Sequence, residues 1–314
     1  MRDRHASRLY RVHLALAGIG LALVLGAGVL ALAGLDLRMP SAAAIATACD
    51  RWIAAGGPAA LLTLGATGLA TVSLALGLRS AVRQVRASRR YLAALPVAAE
   101  GVRIADEPCR VIDSAAPTAF CAGYLRPRMY LSRGALERLD PDELRAVVAH
   151  ERHHARRRDP LRLLVARALA AALFFIPLLR RISERYEAIG ELAADEAAVR
   201  DLERRGPLAS ALLKFGEAGP RSAPVVAIAP ERVDHLIGDP EAGQWRLPGS
   251  LAGRSALALA ALALLLILSW QVEPAPQLPI LLAAACMAAM VGGPIALAVG
   301  ALVLSRRALL ARRG

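Results

Sequence analysis

Long apolar runs, separated by arginine-rich segments, form the main hydrophobic pattern of this chain. A helix of about 20 residues crosses about 30 Å of hydrocarbon, and four runs reach this length with a few flanking residues: 12–35, 58–78, 255–271 and 278–304. The composition agrees, with 56% hydrophobic residues and a mean hydropathy of +0.44. The pattern predicts a multi-pass membrane protein with an N-terminal membrane region (1–90), a central domain (91–240) and a C-terminal membrane region (241–314).

Basic residues lie at the ends of these runs and predict their orientation. Arginines are concentrated before the first run, after the second and after the fourth, whereas the loops 36–57 and 271–277 carry little basic charge. Because cytoplasmic loops are enriched in Lys and Arg, both termini and the central domain are expected on the cytoplasmic side of the plasma membrane. Topology and contact with anionic membrane lipids then explain the net charge of +13. Direct nucleic-acid binding is not expected, because the arginines lack interleaved aromatic residues.

The central domain combines short strands with well-specified helices. Val- and Ile-containing segments bounded by turn residues are typical of strands; they are Arg110–Asp113, Ala119–Tyr124 and Arg128–Ser132, the last two forming a hairpin. Asp140 is placed to cap a helix that begins at Pro141. This helix is expected to end at Asp159, since the proline that follows disfavours helical geometry there. The sheet either presents an open edge to a substrate backbone or only covers the helices.

Residues 150–154 of this helix read His-Glu-Arg-His-His, an H-E-x-x-H motif. Residues four apart lie on one side of a helix, so His150 and His154 can bind one metal ion together. Glu151 lies at the edge of the same sector, where its carboxylate can accept a proton from an attacking water. These residue types predict zinc-dependent peptide hydrolysis. Taken alone, the motif is equally consistent with a solvated surface helix, since Arg156–Arg158 follow it.

A catalytic zinc takes three protein ligands, and Glu191 is the predicted third ligand. The segments Pro160–Pro177 and Pro177–Glu191 have helical lengths of about 25 Å and about 21 Å at 1.5 Å per residue. A helical hairpin that turns at Pro177 therefore returns Glu191 to His154. Asp195, one turn further along, is predicted to orient a ligand imidazole from behind. A solvated acidic helix face is the alternative for both carboxylates.

A fifth apolar run, Leu161–Leu179, is predicted to pack inside the central domain or to re-enter the membrane without crossing it. A crossing would place Glu191 on the other side of the bilayer from the two histidines. Arg162 and Arg167 also lie within the run, and a charge at the middle of the bilayer costs about 2.5–3.5 kcal/mol on insertion scales. The predicted zinc site therefore requires both ends of this run to lie on the same side of the bilayer.

Other polar residues are placed near the site without a fixed role. His153, within the motif, lies on the opposite flank of His150 from Glu151 and is a candidate neighbour, ligand or transition-state donor. Tyr186 and Arg185 are candidate donors to the oxyanion that develops during hydrolysis. The chain's cysteines show no metal-ligand spacing, and those of the central domain are expected to be reduced thiols.

The central domain resembles the BlaR/MecR antirepressor peptidases over about residues 100–240. The matching segments are 119–131, 139–151 with His154, Arg157–Pro160, Phe174–Pro177, the Glu-x-x-Ala-Asp sequence at 191–195, and 231–233. The resemblance implies a mainly α, gluzincin-like domain in which His150, His154 and Glu191 bind one Zn²⁺ ion and Glu151 is the catalytic base. Members that sense β-lactams carry a penicillin-binding domain after the last span. The chain ends soon after Leu304, so such a sensor domain is not expected.

By this resemblance, the chain is expected to act in a signalling circuit. Its substrate would be a cytoplasmic transcriptional repressor of the BlaI/MecI winged-helix type, or a related protein. An HtpX-like quality-control protease shares the H-E-x-x-H and E-x-x-A-D patterns and is the alternative within the enzymes. A non-catalytic, zinc-binding membrane adaptor is the third reading. The presence of Glu151 argues against it, because a structural zinc site has no use for that carboxylate.

Overall fold

The chain folds mainly into α-helices, with one four-stranded sheet, in a computed structural model that describes residues 2–33, 58–218 and 248–271. In chain order the described elements are α1 (Arg2–Ala33), α2 (Pro58–Ala93), β1 (Val97–Ile104), β2 (Glu107–Ile112), β3 (Ala119–Ala122), β4 (Arg128–Ser132), α3 (Arg133–Arg138), α4 (Pro141–Arg157), α5 (Asp159–Ala172), α6 (Pro177–Leu202), α7 (Gly206–Ala218) and α8 (Gly249–Gln271). The predicted class, mainly helical with a small sheet, is confirmed.

Three of the described helices are long and apolar enough to cross a membrane. The stretches concerned are Arg2–Ala31 of α1, Gly65–Ala93 of α2 and Gly249–Trp270 of α8. Each overlaps a predicted span, although the second extends past residue 78 because α2 continues through an arginine-rich stretch. The fourth predicted span, 278–304, lies outside the described residues.

By its internal contacts the chain divides into two units, of which one comprises Ile19–Ala75 and Ala256–Gly314. In the described part of this unit, small residues let the helices approach closely. Ala27 and Ala31 of α1 and Ala66 of α2 form one buried cluster, and the partly buried Leu265 and Leu266 of α8 pack against it. A Cβ atom added at Gly28 would lie only 2.8 Å from the Cβ of Ala70. Packing through such small residues is typical of helices in membranes.

The other unit comprises Met1–Gly18 and Leu76–Ser255 and contains the sheet. The strand order is β1-β2-β4-β3; β2 and β4 are parallel, and the other neighbours are antiparallel. The predicted hairpin of β3 and β4 is present, with Phe120 opposite Tyr130. The sequence does not predict β1, because its side chains are mostly exposed and Gly101, with a φ of 70°, interrupts the alternation.

The sheet packs against α4 and α7 and thereby fixes the orientation of α4. Leu131 of β4, Val147 and Val148 of α4 and Phe215 of α7 belong to one buried cluster. Leu131 is fully buried, and Val148 is 1% exposed. A helix held by this apolar face can turn only a little about its own axis. The residues one turn further along α4, including the H-E-x-x-H motif, are therefore held in a fixed direction.

Both ends of α4 are defined by local chemistry. Asp140 caps the helix: its Oδ1 accepts hydrogen bonds from the backbone N–H groups of Asp142 (2.9 Å) and Glu143 (2.8 Å). Glu143 Oε2 accepts a hydrogen bond from the backbone N–H of Asp140 at 2.8 Å, which completes a capping box. At the other end, Arg158 has a left-handed conformation with a φ of 54°. The helix thus ends at Arg157, slightly before the predicted end.

Helices α5 and α6 form the predicted hairpin. Helix α5 has 14 residues, a length of about 21 Å at 1.5 Å per residue, and it is not among the described helices that could cross a membrane. The chain reverses after Leu173, and α6 begins at Pro177. Arg167 of α5 binds Glu187 of α6 through hydrogen bonds of 2.7 and 2.6 Å. The fifth apolar run is therefore one arm of a helical hairpin that carries Glu191 back towards α4.

Candidate metal centre

The hairpin brings a carboxylate to the two imidazoles of the H-E-x-x-H motif. The Nε2 atoms of His150 and His154 lie 3.2 Å apart. The carboxylate oxygens of Glu191 lie 3.4 Å from each of these nitrogens. Among the described residues, these three side chains form a group whose donor atoms could hold one metal ion. They are the three residues that the sequence predicts as ligands.

The separations between the donor atoms fit a metal ion. In a tetrahedral site with metal–ligand distances of about 2.0–2.1 Å, neighbouring donor atoms are about 3.3 Å apart. The two nitrogens are 3.2 Å apart, Nε2 of His150 lies 3.4 Å from Oε2 of Glu191, and Nε2 of His154 lies 3.4 Å from Oε1 of the same carboxylate. Two imidazole nitrogens and one carboxylate oxygen also form a donor set known for catalytic zinc. Three donors leave the fourth tetrahedral position for water or substrate.

A buried carboxylate holds the other nitrogen of each imidazole. The Oδ1 atom of Asp195 lies 2.9 Å from Nδ1 of His150, and Asp195 is fully buried. The Oδ2 atom of Asp159 lies 2.9 Å from Nδ1 of His154. A carboxylate at Nδ1 keeps the proton on that nitrogen, so Nε2 presents its lone pair to a metal. Spacing predicts the role of Asp195, whereas the sequence presents Asp159 only as a helix boundary.

Asp159 is the centre of a polar network at the start of α5. It accepts a hydrogen bond from the Tyr186 hydroxyl at 2.8 Å and one from Arg157 Nε at 3.4 Å. Burial by itself raises the pKa of Asp159, but the hydrogen bonds and charge of His154, with Tyr186 and Arg157, lower it below its ordinary value. Burial and the negative charge of Asp159 raise the pKa of Tyr186 to about 12. At neutral pH the pair is therefore an ionised carboxylate and a protonated phenol.

The pKa values of the adjacent histidines His153 and His154 shift in opposite directions. Burial lowers the pKa of His154, but the hydrogen bond to Asp159 and the charge of Glu191 outweigh it and raise this pKa above its ordinary value. Burial and the neighbouring charge of His154 lower the pKa of His153 to about 4. The Nε2 atom of His153 lies 3.8 Å from a carboxylate oxygen of Asp3. His153 is thus a neutral neighbour, and it does not line the cavity described below.

A cavity of about 290 Å³ opens over the donor group. Glu151 lines it together with His150, His154 and Glu191, and Glu151 is 8% exposed. Strand β3 forms one wall through Ala119–Cys121. Leucines from α5 and α7 form apolar walls: Leu163, Leu208 and Leu212. The predicted base, the donor group and the edge of the sheet therefore share one partly enclosed space.

The two candidate oxyanion donors occupy different places. Tyr186 is buried and lines the cavity, but its hydroxyl donates to Asp159. Arg185 is half-buried and is not among the described residues that line the cavity. The structure therefore brings Tyr186, and not Arg185, to the space where a substrate carbonyl would lie.

Arg152, within the motif, makes ion pairs with two neighbouring elements. Its guanidinium lies 3.3 Å from Glu107 of β2 and 2.6 Å from Asp201 of α6. Arg152 therefore ties α4 to the sheet on one side and to the Glu191-bearing helix on the other. It contributes to the arrangement of the site without lining the cavity.

The thiols of the central domain do not join the donor group. Cys109 and Cys121 are free. Burial, followed by the charge of Glu107, raises the pKa of Cys109 to about 11. Burial and the charge of Glu151 raise the pKa of Cys121, which lines the cavity. Because a thiolate is the form that binds metals, these protonated thiols are poor competitors of the imidazoles at neutral pH.

Comparison with known proteins identifies a family model that matches the chain. The family model described as BlaR1 peptidase M56 matches residues 58–236, which is more than half of the chain. The matched segment runs from the start of α2 through the sheet, the H-E-x-x-H helix and the Glu191 hairpin. No curated protein and no solved structure matches the chain.

Proposed function

The chain belongs to the BlaR1 peptidase M56 family, and from this premise we propose that it is a membrane-bound, zinc-dependent endopeptidase. One observation carries the proposal. The donor atoms of His150, His154 and Glu191 lie 3.2–3.4 Å apart, beside Glu151 in a single cavity. Membership of the family supports peptidase activity, and the geometry supports a metal as the source of that activity.

Each residue of the site then has a defined task. His150, His154 and Glu191 would hold a zinc ion, which would supply a Lewis acid for the scissile carbonyl and for the attacking water. Glu151 accepts the proton of the attacking water and passes it to the leaving amine. Asp195 and Asp159 keep the two imidazoles in the required orientation. The cavity walls reduce the access of bulk water, which strengthens the electrostatic interactions inside.

The substrate is proposed to bind as an extended strand along β3. This strand is at one edge of the sheet, and its residues Ala119–Cys121 form a wall of the cavity. An extended peptide can add to such an edge through backbone hydrogen bonds, while its side chains enter pockets. The apolar walls favour a hydrophobic substrate side chain next to the scissile bond. A cleavable protein must therefore expose an extended, partly apolar segment.

The biological role proposed is that of an antirepressor. The substrate is then a transcriptional repressor of the winged-helix type, or a related protein, and the site faces the cytoplasm. Two observations support this role: the family to which the chain belongs, and the arginine-rich segments that flank its apolar runs, as expected for cytoplasmic segments.

Replacing the proposed base tests this function. In the purified full-length chain, Glu151→Gln should retain one zinc ion and reduce peptide cleavage by about 100- to 10,000-fold, the usual contribution of a general base. Glu137→Gln, on the exposed surface of α3, is the matched control and should retain both properties. Unchanged cleavage by Glu151→Gln would refute the mechanism.

The same pair of proteins identifies the role in cells. A proteome comparison should show that one DNA-binding repressor accumulates in cells with Glu151→Gln and is lost in cells with the wild-type enzyme. Accumulation of many damaged membrane proteins instead would contradict the antirepressor role and would identify a quality-control protease.

A further inference from the structure

The first turns of α1 contact the helices that carry the candidate metal centre. We refer to residues 2–10 as the amino-terminal segment of α1; they belong to the same compact unit as α4, α5 and α6. Asp3 of this segment accepts a hydrogen bond from the Arg157 guanidinium, which also lies 3.3 Å from Ser7 Oγ. The Nε atom of Arg2 lies 3.4 Å from Glu196 of α6.

Aromatic contacts extend the same interface. The rings of Tyr10 and Tyr186 lie 5.2 Å apart between their centroids. The guanidinium of Arg162, on α5, lies over the ring of Tyr10 at 5.5 Å from its centroid, a distance typical of a cation–π contact. The segment therefore contacts α4 through an ion pair, and α5 and α6 through the ring of Tyr10.

Two chains of contacts lead from this segment to one carboxylate. In the first, Asp3 binds Arg157, and Arg157 Nε lies 3.4 Å from Asp159. In the second, Tyr10 packs on Tyr186, whose hydroxyl donates to Asp159 at 2.8 Å. Asp159 in turn holds Nδ1 of His154 at 2.9 Å.

We propose that the amino-terminal segment of α1 is a positioning element for His154, acting through Arg157 and Tyr186 on Asp159. This inference rests on the proposed function, because it assigns His154 to a metal. Asp3 and Tyr10 are positioning residues: they touch neither the metal position nor the cavity. They determine how firmly the carboxylate behind a ligand is held.

The physical reason is competition for the carboxylate of Asp159. Arg157 is only 10% exposed, so its charge needs a nearby anion. Asp3 provides this anion, and Arg157 therefore makes only a long contact with Asp159. Without Asp3, the guanidinium would turn fully to Asp159 and weaken the carboxylate's hydrogen bond to His154. That hydrogen bond orients the ring and increases its basicity as a ligand.

The contacts also connect the metal centre to a helix that is long enough to cross a membrane. A helix advances 1.5 Å per residue. A shift of α1 by a single residue along its axis would therefore move the backbone of Asp3 by about 1.5 Å and strain its contact with Arg157. The affinity and geometry of the metal site would therefore depend on the position of α1.

Metal binding by the full-length chain tests the inference, with Glu151→Gln present throughout so that no turnover interferes. Asp3→Asn keeps the shape of the side chain and removes its charge. It should lower zinc affinity by about 10-fold, the lower end of the effect of mutating partners of metal ligands, and should shift the visible spectrum of the cobalt-substituted protein. Asp3→Glu restores a carboxylate and should return both towards the parent values. His5→Ala, exposed at the same end of α1, is the control and should change neither.

The aromatic route is tested separately. Tyr10→Phe keeps the ring contact and should leave zinc affinity unchanged, whereas Tyr10→Ala should lower it. Asp159→Asn, which acts directly on His154, should lower the affinity by about 10- to 100-fold and provides the positive control.

The outcomes separate this inference from the function on which it rests. An unchanged zinc affinity and cobalt spectrum in Asp3→Asn, while Asp159→Asn lowers the affinity, would overturn the inference alone. An equal loss of zinc affinity in Asp3→Asn and Asp3→Glu would also overturn it, because the carboxylate at this position would then not be what maintains the affinity. Undiminished zinc binding after His154→Ala would instead overturn the proposed metal site itself.

Discussion

At the scale of single residues, the carboxylates behind the imidazoles determine which nitrogen is free for a metal. Asp195 and Asp159 each lie 2.9 Å from an Nδ1 atom, so both Nε2 atoms point to Glu191. The two carboxylates differ in their surroundings. Asp195 is fully buried, whereas Asp159 is shared among an imidazole, a phenol and a guanidinium. The orientation of the His154 imidazole thus depends on the network around Asp159.

Asp195 provides a prediction at this scale. Asp195→Asn should lower zinc affinity by about 10- to 100-fold, because an amide orients the imidazole less firmly and makes it a weaker ligand. Competition with a chromophoric chelator measures the change. Asp113→Asn, which alters an exposed carboxylate paired with Arg133 at 3.2 Å, should leave the affinity as it is. Equal affinities of Asp195→Asn and the wild-type protein would refute the role assigned to Asp195.

At the scale of elements, the metal centre depends on how α4 is held by α7 and α6. Glu143, in the first turn of α4, is 2% exposed and accepts hydrogen bonds of 2.6 Å from both Lys214 and Ser210 of α7. Nearer the carboxyl end of α4, Arg152 forms ion pairs with β2 and α6. Polar contacts at both ends thus supplement the apolar cluster of the sheet.

The stability of this arrangement should depend on pH through Glu143. Burial by itself raises its pKa, but hydrogen bonds from Lys214, Ser210 and the Asp140 backbone outweigh burial and lower the pKa in the folded chain. Because the folded pKa is below the unfolded one, the stabilisation is complete above the ordinary Glu pKa and is lost as pH falls through the lowered value. Glu143→Gln should therefore reduce the free energy of unfolding by about 1–2 kcal/mol at neutral pH, since Lys214 is partly exposed.

Unfolding of the solubilised protein by heat or denaturant checks this dependence. The difference between wild type and Glu143→Gln should shrink as the pH is lowered below about 4, where an ordinary Glu is protonated. Glu137→Gln serves as the exposed control. A difference that stays constant over the whole pH range would contradict the assignment to the ionised carboxylate.

At the scale of the whole molecule, the sequence predicts whatever depends on local spacing. The cap at Asp140, the pairing of His150 with His154 and the return of Glu191 follow from helical period and segment length. The sequence does not predict the contact of Asp159 with His154, because the left-handed conformation of Arg158 changes the chain direction between these two residues. The contact of Asp3 with Arg157 joins residues 154 positions apart, and no local pattern reports such a contact.

For the helices that are long enough to cross a membrane, the sequence likewise predicts local properties. Length and apolar composition are local properties, and they predict the three described helices, α1, α2 and α8, that are long and apolar enough to cross a membrane. The orientation of these helices and the cytoplasmic location of the site stay predictions from the arginine distribution. The fourth predicted span, 278–304, lies outside the described residues.

X-ray absorption at the zinc edge of the purified full-length protein tests the candidate metal centre most directly. We predict one zinc ion per chain with only nitrogen and oxygen neighbours at about 2.0–2.2 Å, including the outer-shell pattern of two imidazoles, and loss of the ion in Glu191→Ala and His150→Ala. Sulfur neighbours at about 2.3 Å, or zinc retained in both variants, would contradict the assignment of His150, His154 and Glu191 as the metal ligands.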